Sequence, residues 1–383
     1  MKRRFPWKKR AIGAVFDLLT APIAIAVQVL ALFRGVSRET TRRILVVEIW
    51  GIGDAVLATA ALVALRRALP NAHLTVLVKP HAAALFDSGE LVDEVIAYDF
   101  PWTSVTRKYL LARYDLRSIW LMLRRLRAGK YDLSIDARMD PRSNLLTLLA
   151  GVRRRIGYAH AAGSWLLTDR VPVRDPDEHR VDDWLQLVRA AGIPAEGQPT
   201  LGVSGAEKHW AKAWLAARGL DAARRLIGIH PGASNSVRRW DLARFGAVAD
   251  AFSEHHDAQI IVFADDTGYG EQIPMVHDHA VARVSIRELM ALVSHCDLLV
   301  CNESGPMHIA GALGTPVLAI FTSMLPAWFG PRAERDRVVI QSNFPCRPCF
   351  DRCKFAEPYC NTNISVAAVL SIADEQFSAL AVS

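Results

Sequence analysis

The sequence predicts an α/β protein built as two Rossmann-like halves in tandem, and three observations carry that expectation. Apolar runs of strand length alternate with segments of helical periodicity, the pattern of a parallel sheet wrapped by helices. The alternation starts afresh near Leu226, after a Gly- and Pro-containing stretch of little periodicity at 192–206, where the linker belongs. Small-residue motifs follow strands directly, where ligands sit in open parallel sheets. A length of 383 residues suits two domains at ~100–200 residues each. A hydrophobic share of 51% with 22% charged residues excludes a disordered chain.

Taken in order, residues 43–50 (RILVVEIW) read as a buried strand, 54–69 as a helix, 74–78 as a second strand and 91–96 as the approach to a third. Residues 109–127 have the periodicity of a long basic, amphipathic helix, and 131–136 (YDLSID) that of another strand. The second half runs strand 226–230, helix 241–255, strand 259–264, helix 286–294, strand 297–301, helix 307–313 and strand 316–321. Residues 364–380 read as a closing helix. The expected division is a basic apolar segment at 1–42, a first Rossmann-like domain at 43–200, a second at 201–363 and a C-terminal helix at 364–383.

The formal charge is +7, and it is local. Residues 1–43 hold ten Lys/Arg against Asp17 and Glu39, while the remainder holds 36 basic and 37 acidic residues. A nucleic-acid binder spreads its basic residues over a groove-facing surface. Here they flank an apolar run at 11–33, which points to a membrane surface and away from nucleic acid. As a helix that run would be ~34 Å long, enough to span a bilayer core or to lie in its interface. A cleaved signal peptide with Ala24-Ile25-Ala26 as its site, or a soluble core helix, are the alternatives.

Three motifs could carry chemistry. Gly51-Ile52-Gly53-Asp54 follows the first strand. Its glycines allow a tight turn and close ligand approach. Val56 and Lys79 stand where a dinucleotide fingerprint wants Gly and an acid, which disfavours NAD. Asp54 is either a base at the mouth of the sheet or a helix N-cap. The second motif is His230-Pro231-Gly232-Ala233-Ser234 with Arg238-Arg239-Trp240. Small residues let backbone N–H groups face an anion, and a guanidinium binds phosphate bidentately; a solvated loop is the alternative. The third is Asn302-Glu303-Ser304-Gly305-Pro306-Met307-His308 with Gly311, Gly314 and Pro316. Ser304 and Gly305 open a helix whose free N–H groups favour a diphosphate, His308 reaches the anion or packs, and Gly314 ends the helix. Glu271, after the 259–264 strand, is a candidate for the ribose or base edge of a nucleotide.

At these residues the chain resembles the lipopolysaccharide heptosyltransferases, glycosyltransferase family 9. Gly53-Asp54, His230–Ser234 with Arg238–Trp240, and Glu303-Ser304-Gly305 with His308 match the family pattern in order and spacing. Two positions depart from it: Arg238 stands where the family often has Lys, and Glu303 where it often has Asp. The resemblance implies the GT-B fold, with two Rossmann-like domains facing a central cleft. It implies an inverting transfer from a nucleoside-diphosphate sugar, ADP-heptose foremost, to a lipid-linked or lipopolysaccharide-core acceptor. Asp54 would be the base; Ser234, Arg238, Glu303, Ser304, Gly305 and His308 would hold the donor. No cofactor is required for that chemistry. The implied location is the cytoplasmic face of the bacterial inner membrane. A nucleotide-sugar epimerase on the same fold and a non-catalytic glycan- or sugar-nucleotide-binding scaffold are the competing readings.

Of six cysteines, Cys296 and Cys301 flank a buried strand. The other four, Cys346, Cys349, Cys353 and Cys360, have spacing compatible with a structural zinc site, with disulfides or with free thiols.

Overall fold

The computed structural model describes Pro22 and residues 41–382, apart from 88, 104–113, 160–162, 173–177, 222 and 342–343. The apolar helix expected at 11–33 lies, apart from Pro22, outside the described residues. Among the described residues no helix is long and apolar enough to cross a membrane.

The chain divides into two units between Pro199 and Thr200, one residue before the expected boundary. The first unit holds a six-stranded parallel sheet in the order β3-β2-β1-β4-β5-β6. Its strands are β1 Arg43–Glu48, β2 His73–Val78, β3 Glu94–Ala97, β4 Leu133–Asp136, β5 Arg154–Tyr158 and β6 Asp169–Val171. β1 is central and buried on both faces, as its run of Ile, Leu and Val requires. The main helices are α1 Ile52–Ala68, α2 Leu116–Ala128, α3 Pro141–Leu149 and α4 Arg180–Ala190. β5 and β6 were not expected, because arginines interrupt their apolar pattern. Arg154 is paired with Asp169 at 2.8 Å. Arg155 is buried, and its guanidinium donates to the carbonyls of Leu166 at 2.8 Å and Val152 at 2.6 Å. A buried arginine inside a strand, held by carbonyls through two of its three nitrogens, removes the periodicity by which a strand is read.

The second unit repeats the topology, in the order β12-β11-β10-β7-β8-β9. Its strands are β7 Leu226–His230, β8 Gln259–Phe263, β9 His279–Ala282, β10 Leu298–Asn302, β11 Val317–Phe321 and β12 Arg337–Ile340. The helices are α5 Gly205–Ala216, α6 Leu242–His256, α7 Ile286–Val293, α8 Gly305–Leu313 and α9 Val366–Val382. α5 starts inside the stretch assigned to the linker, at a capping box of Ser204 and Glu207. Gly314 ends α8 in the left-handed region (φ 82°), a conformation that suits glycine. α9 belongs to the second unit's core: Val369, Ala373 and Phe377 are buried with Trp240, Phe245 and Phe252. In each sheet the chain order reverses at one place, between β1 and β4 and between β7 and β10. Open α/β sheets bind ligands beyond the carboxyl ends of the strands at such points.

Candidate active site

In the first unit the reversal point gathers three charged side chains. β1 ends on Glu48, which is 1% exposed. Gly51 caps α1, and Asp54 lies in the first helical turn. The Gly51 N–H donates to Asp54 Oδ2 at 3.3 Å, while Asp54 Oδ1 faces Arg138 Nη2 at 3.0 Å. The cap and the charged partner thus occupy different oxygens of one carboxylate. Arg138 follows β4. Its Nε and Nη2 donate to Glu48 Oε1 at 3.0 and 2.7 Å, and its guanidinium lies 5.0 Å over the Trp50 ring. The Arg138 N–H donates to Asp136 Oδ1 at 2.7 Å.

Burial pushes the Glu48 carboxyl up to about 7; Arg138 opposes the shift, and the charges of Asp54 and Asp136 add to it. Burial likewise raises Asp136 to about 7, against the hydrogen bond from Arg138. Burial works against the charge on Arg138, but Asp54 and Glu48 more than restore it and hold its pKa above the ordinary arginine value. A small cavity beside these groups is also lined by Arg180, Asp183 and Trp184 of α4.

In the second unit, Asn302 joins the second and third motifs. It ends β10, is fully buried, donates from Nδ2 to the Pro231 carbonyl at 2.7 Å and accepts the Trp240 N–H at 3.1 Å. Both motifs therefore meet at the carboxyl ends of β7 and β10. His230 ends β7, and burial lowers its imidazole to about 4, so it is neutral at pH 7. Ser234 is exposed on the loop that follows. Arg239 donates from Nε to the Ala233 carbonyl at 2.8 Å and lies 4.5 Å over the Tyr269 ring. Arg238 grips Asp351 through Nε and Nη2, at 2.6 and 2.7 Å.

Ser304 caps α8 without a side-chain capping bond, and its buried hydroxyl has no hydrogen-bond partner among the described residues. Gly305 is the first helical residue and His308 stands in the same turn, partly exposed. Glu303 is occupied elsewhere. Its Oε1 accepts from Thr322 Oγ1 at 2.8 Å and the Ser323 N–H at 2.6 Å, and its Oε2 from the Met324 N–H at 3.1 Å. The Ser323 hydroxyl stands between two carboxylates, 2.9 Å from Glu303 Oε1 and 2.6 Å from Asp351 Oδ1. Glu271 lies exposed in the loop after β8, 3.4 Å from Arg283 Nη1.

The family model for glycosyltransferase family 9 (heptosyltransferase) matches residues 119–360, more than half of the chain. The chain belongs to glycosyltransferase family 9. It is similar to the lipopolysaccharide core heptosyltransferase OpsX of Haemophilus influenzae, 23% identical over 79% of this chain and 85% of that one. Among solved structures it resembles a family 9 glycosyl transferase from Veillonella parvula, with a TM-score of 0.74, 22% identity and coverage of 88% and 97% of the two chains. It also resembles the E. coli ADP-heptose lps heptosyltransferase II, with a TM-score of 0.69, 21% identity and coverage of 87% and 98%. The pair of parallel six-stranded sheets matches these GT-B structures in fold.

In this family 9 glycosyltransferase, the sequence reading missed Glu48, Arg138, Ser323 and Asp351. Glu48 left one signal, an acid at the end of an otherwise apolar strand. Arg138 left another, a base just past the strand that becomes the neighbour of β1. Ser323 and Asp351 left none, because only the fold brings them to Arg238.

All six cysteines are free thiols. Among the described residues no three His, Cys, Asp or Glu side chains come together as a metal site. Cys346, Cys349, Cys353 and Cys360, the candidate zinc ligands, lie in the stretch after β12. Burial, foremost, raises the thiols of Cys349 and Cys360.

Proposed function

We propose that this family 9 glycosyltransferase moves a heptose from ADP-heptose to a hydroxyl of a lipopolysaccharide-core or other lipid-linked acceptor, with inversion at the anomeric carbon. The observation that carries the donor half is Ser304: a buried, unpartnered hydroxyl at the start of α8, beside helix N–H groups that Gly305 leaves unshielded. Such a terminus favours a diphosphate. Relatives whose names specify heptosyltransfer and ADP-heptose support the choice of sugar and nucleotide.

Asp54 accepts the proton of the acceptor hydroxyl as its oxygen attacks the anomeric carbon. The bond from that carbon to the diphosphate oxygen breaks, and ADP leaves with the electron pair. Arg238, Ser234 and the N–H groups at Ser304-Gly305 stabilise the charge that develops on the leaving group. Glu303 acts at one remove, by fixing the loop at Ser323 and Met324. His308 and Glu271 complete the donor side, the latter toward the ribose or the base. No metal takes part in this scheme. The basic segment at 1–42 holds the enzyme at the cytoplasmic face of the inner membrane, beside its lipid-linked acceptor.

The test is ADP release from a panel of nucleotide sugars, with lipid acceptor and with EDTA, by the wild type and Asp54→Asn. Acceptor-dependent release by the wild type alone, with a product of inverted anomeric configuration by NMR, is expected. Equal release by both forms removes Asp54 as the base. Donor binding without turnover in either would favour a binding scaffold, and loss of release in EDTA would reinstate a metal.

A further inference from the structure

The basic, amphipathic helix read at 109–127 has no part in the transfer scheme, and its outer face is unusual. α2, LRSIWLMLRRLRA, carries four arginines and no acid. Met122 and Leu126 are buried and Leu123 packs with them against the first unit's core. The other side exposes Leu116 (74%), Trp120 (53%) and Leu121 (49%). At ~100° per residue, Leu116, Arg127, Trp120, Arg124 and Arg117 fall in that order on one outward sector, with Leu121 at its margin. Apolar and cationic side chains therefore interleave there.

The arginines divide by role. Arg125 is paired with Glu94 at 2.9 Å, and Arg127 donates to the Leu149 carbonyl at 2.6 Å. Arg117 and Arg124 make no ion pair among the described residues, and Arg124 lies 4.7 Å over the Trp120 ring. Leu149, at the end of α3, is 42% exposed and adds to the apolar area that Arg127 borders.

We propose that the outer face of α2 docks on an anionic lipid bilayer, with Leu116, Trp120 and Leu121 entering the headgroup region and Arg117 and Arg124 meeting lipid phosphates. Charge complementarity selects the occupant: a cationic helix whose nearest acid along the chain, the N-cap Asp115, is turned to the Arg117 and Ser118 N–H groups fits an anionic leaflet, while three protruding apolar side chains are what a bilayer interface accepts and a nucleic-acid backbone does not. Trp120 under Arg124 is an amphipathic pair of the kind that sits at headgroup level. The proposal rests on α2 alone and is independent of the identity of the sugar.

The test uses the full chain with p-benzoylphenylalanine in place of Trp120 or, as a control, in place of the 90%-exposed Val276 of the second unit. Irradiation with phosphatidylglycerol vesicles is expected to give a lipid adduct at position 120 and not at 276, and little adduct with phosphatidylcholine. The double substitution Arg117→Glu and Arg124→Glu is expected to weaken phosphatidylglycerol binding of the full chain by at least roughly thirty-fold at low salt, with an unchanged melting temperature. No adduct at 120, equal adducts at 120 and 276, or adducts to added RNA in preference to lipid would each overturn the proposal. So would an unaltered vesicle affinity in the charge-reversed form.

Discussion

Arg238 and Asp351 stand 113 residues apart and form a two-pronged ion pair, Nε to Oδ1 at 2.6 Å and Nη2 to Oδ2 at 2.7 Å. The pair fixes the plane of a guanidinium that would otherwise sweep through several rotamers, and Ser323 links it to Glu303. The acid of the third motif and the arginine of the second are therefore joined through a loop that neither motif contains.

Asp351→Asn keeps the shape and removes the charge that aligns Arg238. Donor KM should rise on the order of tenfold with a smaller change in kcat, because the lost alignment affects diphosphate binding before chemistry. Arg238→Ala should lower kcat/KM by roughly a hundredfold or more, since it also removes charge stabilisation in the transition state. Steady-state kinetics at varied donor concentration separate the two. Equal losses in kcat and KM for both variants would make Asp351 a direct donor contact instead.

Arg138 holds Asp54 from the side opposite its capping bond, and it also neutralises Glu48. Arg138→Ala should lower kcat on the order of a hundredfold while leaving donor KM unchanged, because a misplaced base costs rate and not donor affinity. Arg138→Lys should recover only part, since a point charge cannot bridge two carboxylates as a planar fork does. A raised donor KM would place Arg138 on the donor.

Asn302 is fully buried and makes two hydrogen bonds, to the Pro231 carbonyl and from the Trp240 N–H. Asn302→Ala leaves both partners buried and unpaired, which costs roughly 2–4 kcal/mol. Urea denaturation followed by far-UV circular dichroism would read it. A change below about 0.5 kcal/mol would mean that water replaces the amide.

The fold was legible where burial leaves a periodic trace. β1, β7 and β10 are apolar on both faces, and their ends carry the glycine-containing motifs, so strands and site positions could be read together. β5 failed because it buries Arg155 in the sheet at a position where an apolar residue would have marked the period. β9 and β12 are four residues long and only partly buried, too little to show a period, whereas β3, of the same length, was read through the 91–96 stretch that leads into it. In the candidate site, Asp54, Arg238 and Ser304 could be picked out because short-range sequence places them after strands. Glu303 was found but given to the donor. The fold instead saturates its carboxylate with the 322–324 loop, a pairing set by the register of β10 beside β11 and invisible along the chain.

The carboxyls of Glu48 and Asp136 give the first unit a pH signature with a definite sign. Each is raised by burial, from 4.5 and 3.8 respectively, to about 7. Between the ordinary carboxylate range and pH ~7 the native state therefore binds more protons than the unfolded chain. Their contribution to stability is fully present below the ordinary range and is lost as pH rises through about 7. Glu48→Gln abolishes its own share. The melting temperature of the variant relative to the wild type should therefore be higher at about pH 8 than at about pH 5, with the crossover near the raised pKa. Calorimetry across that range measures it. A difference that does not vary with pH would show that Arg138 keeps Glu48 ionised throughout, and would assign the slope to Asp136.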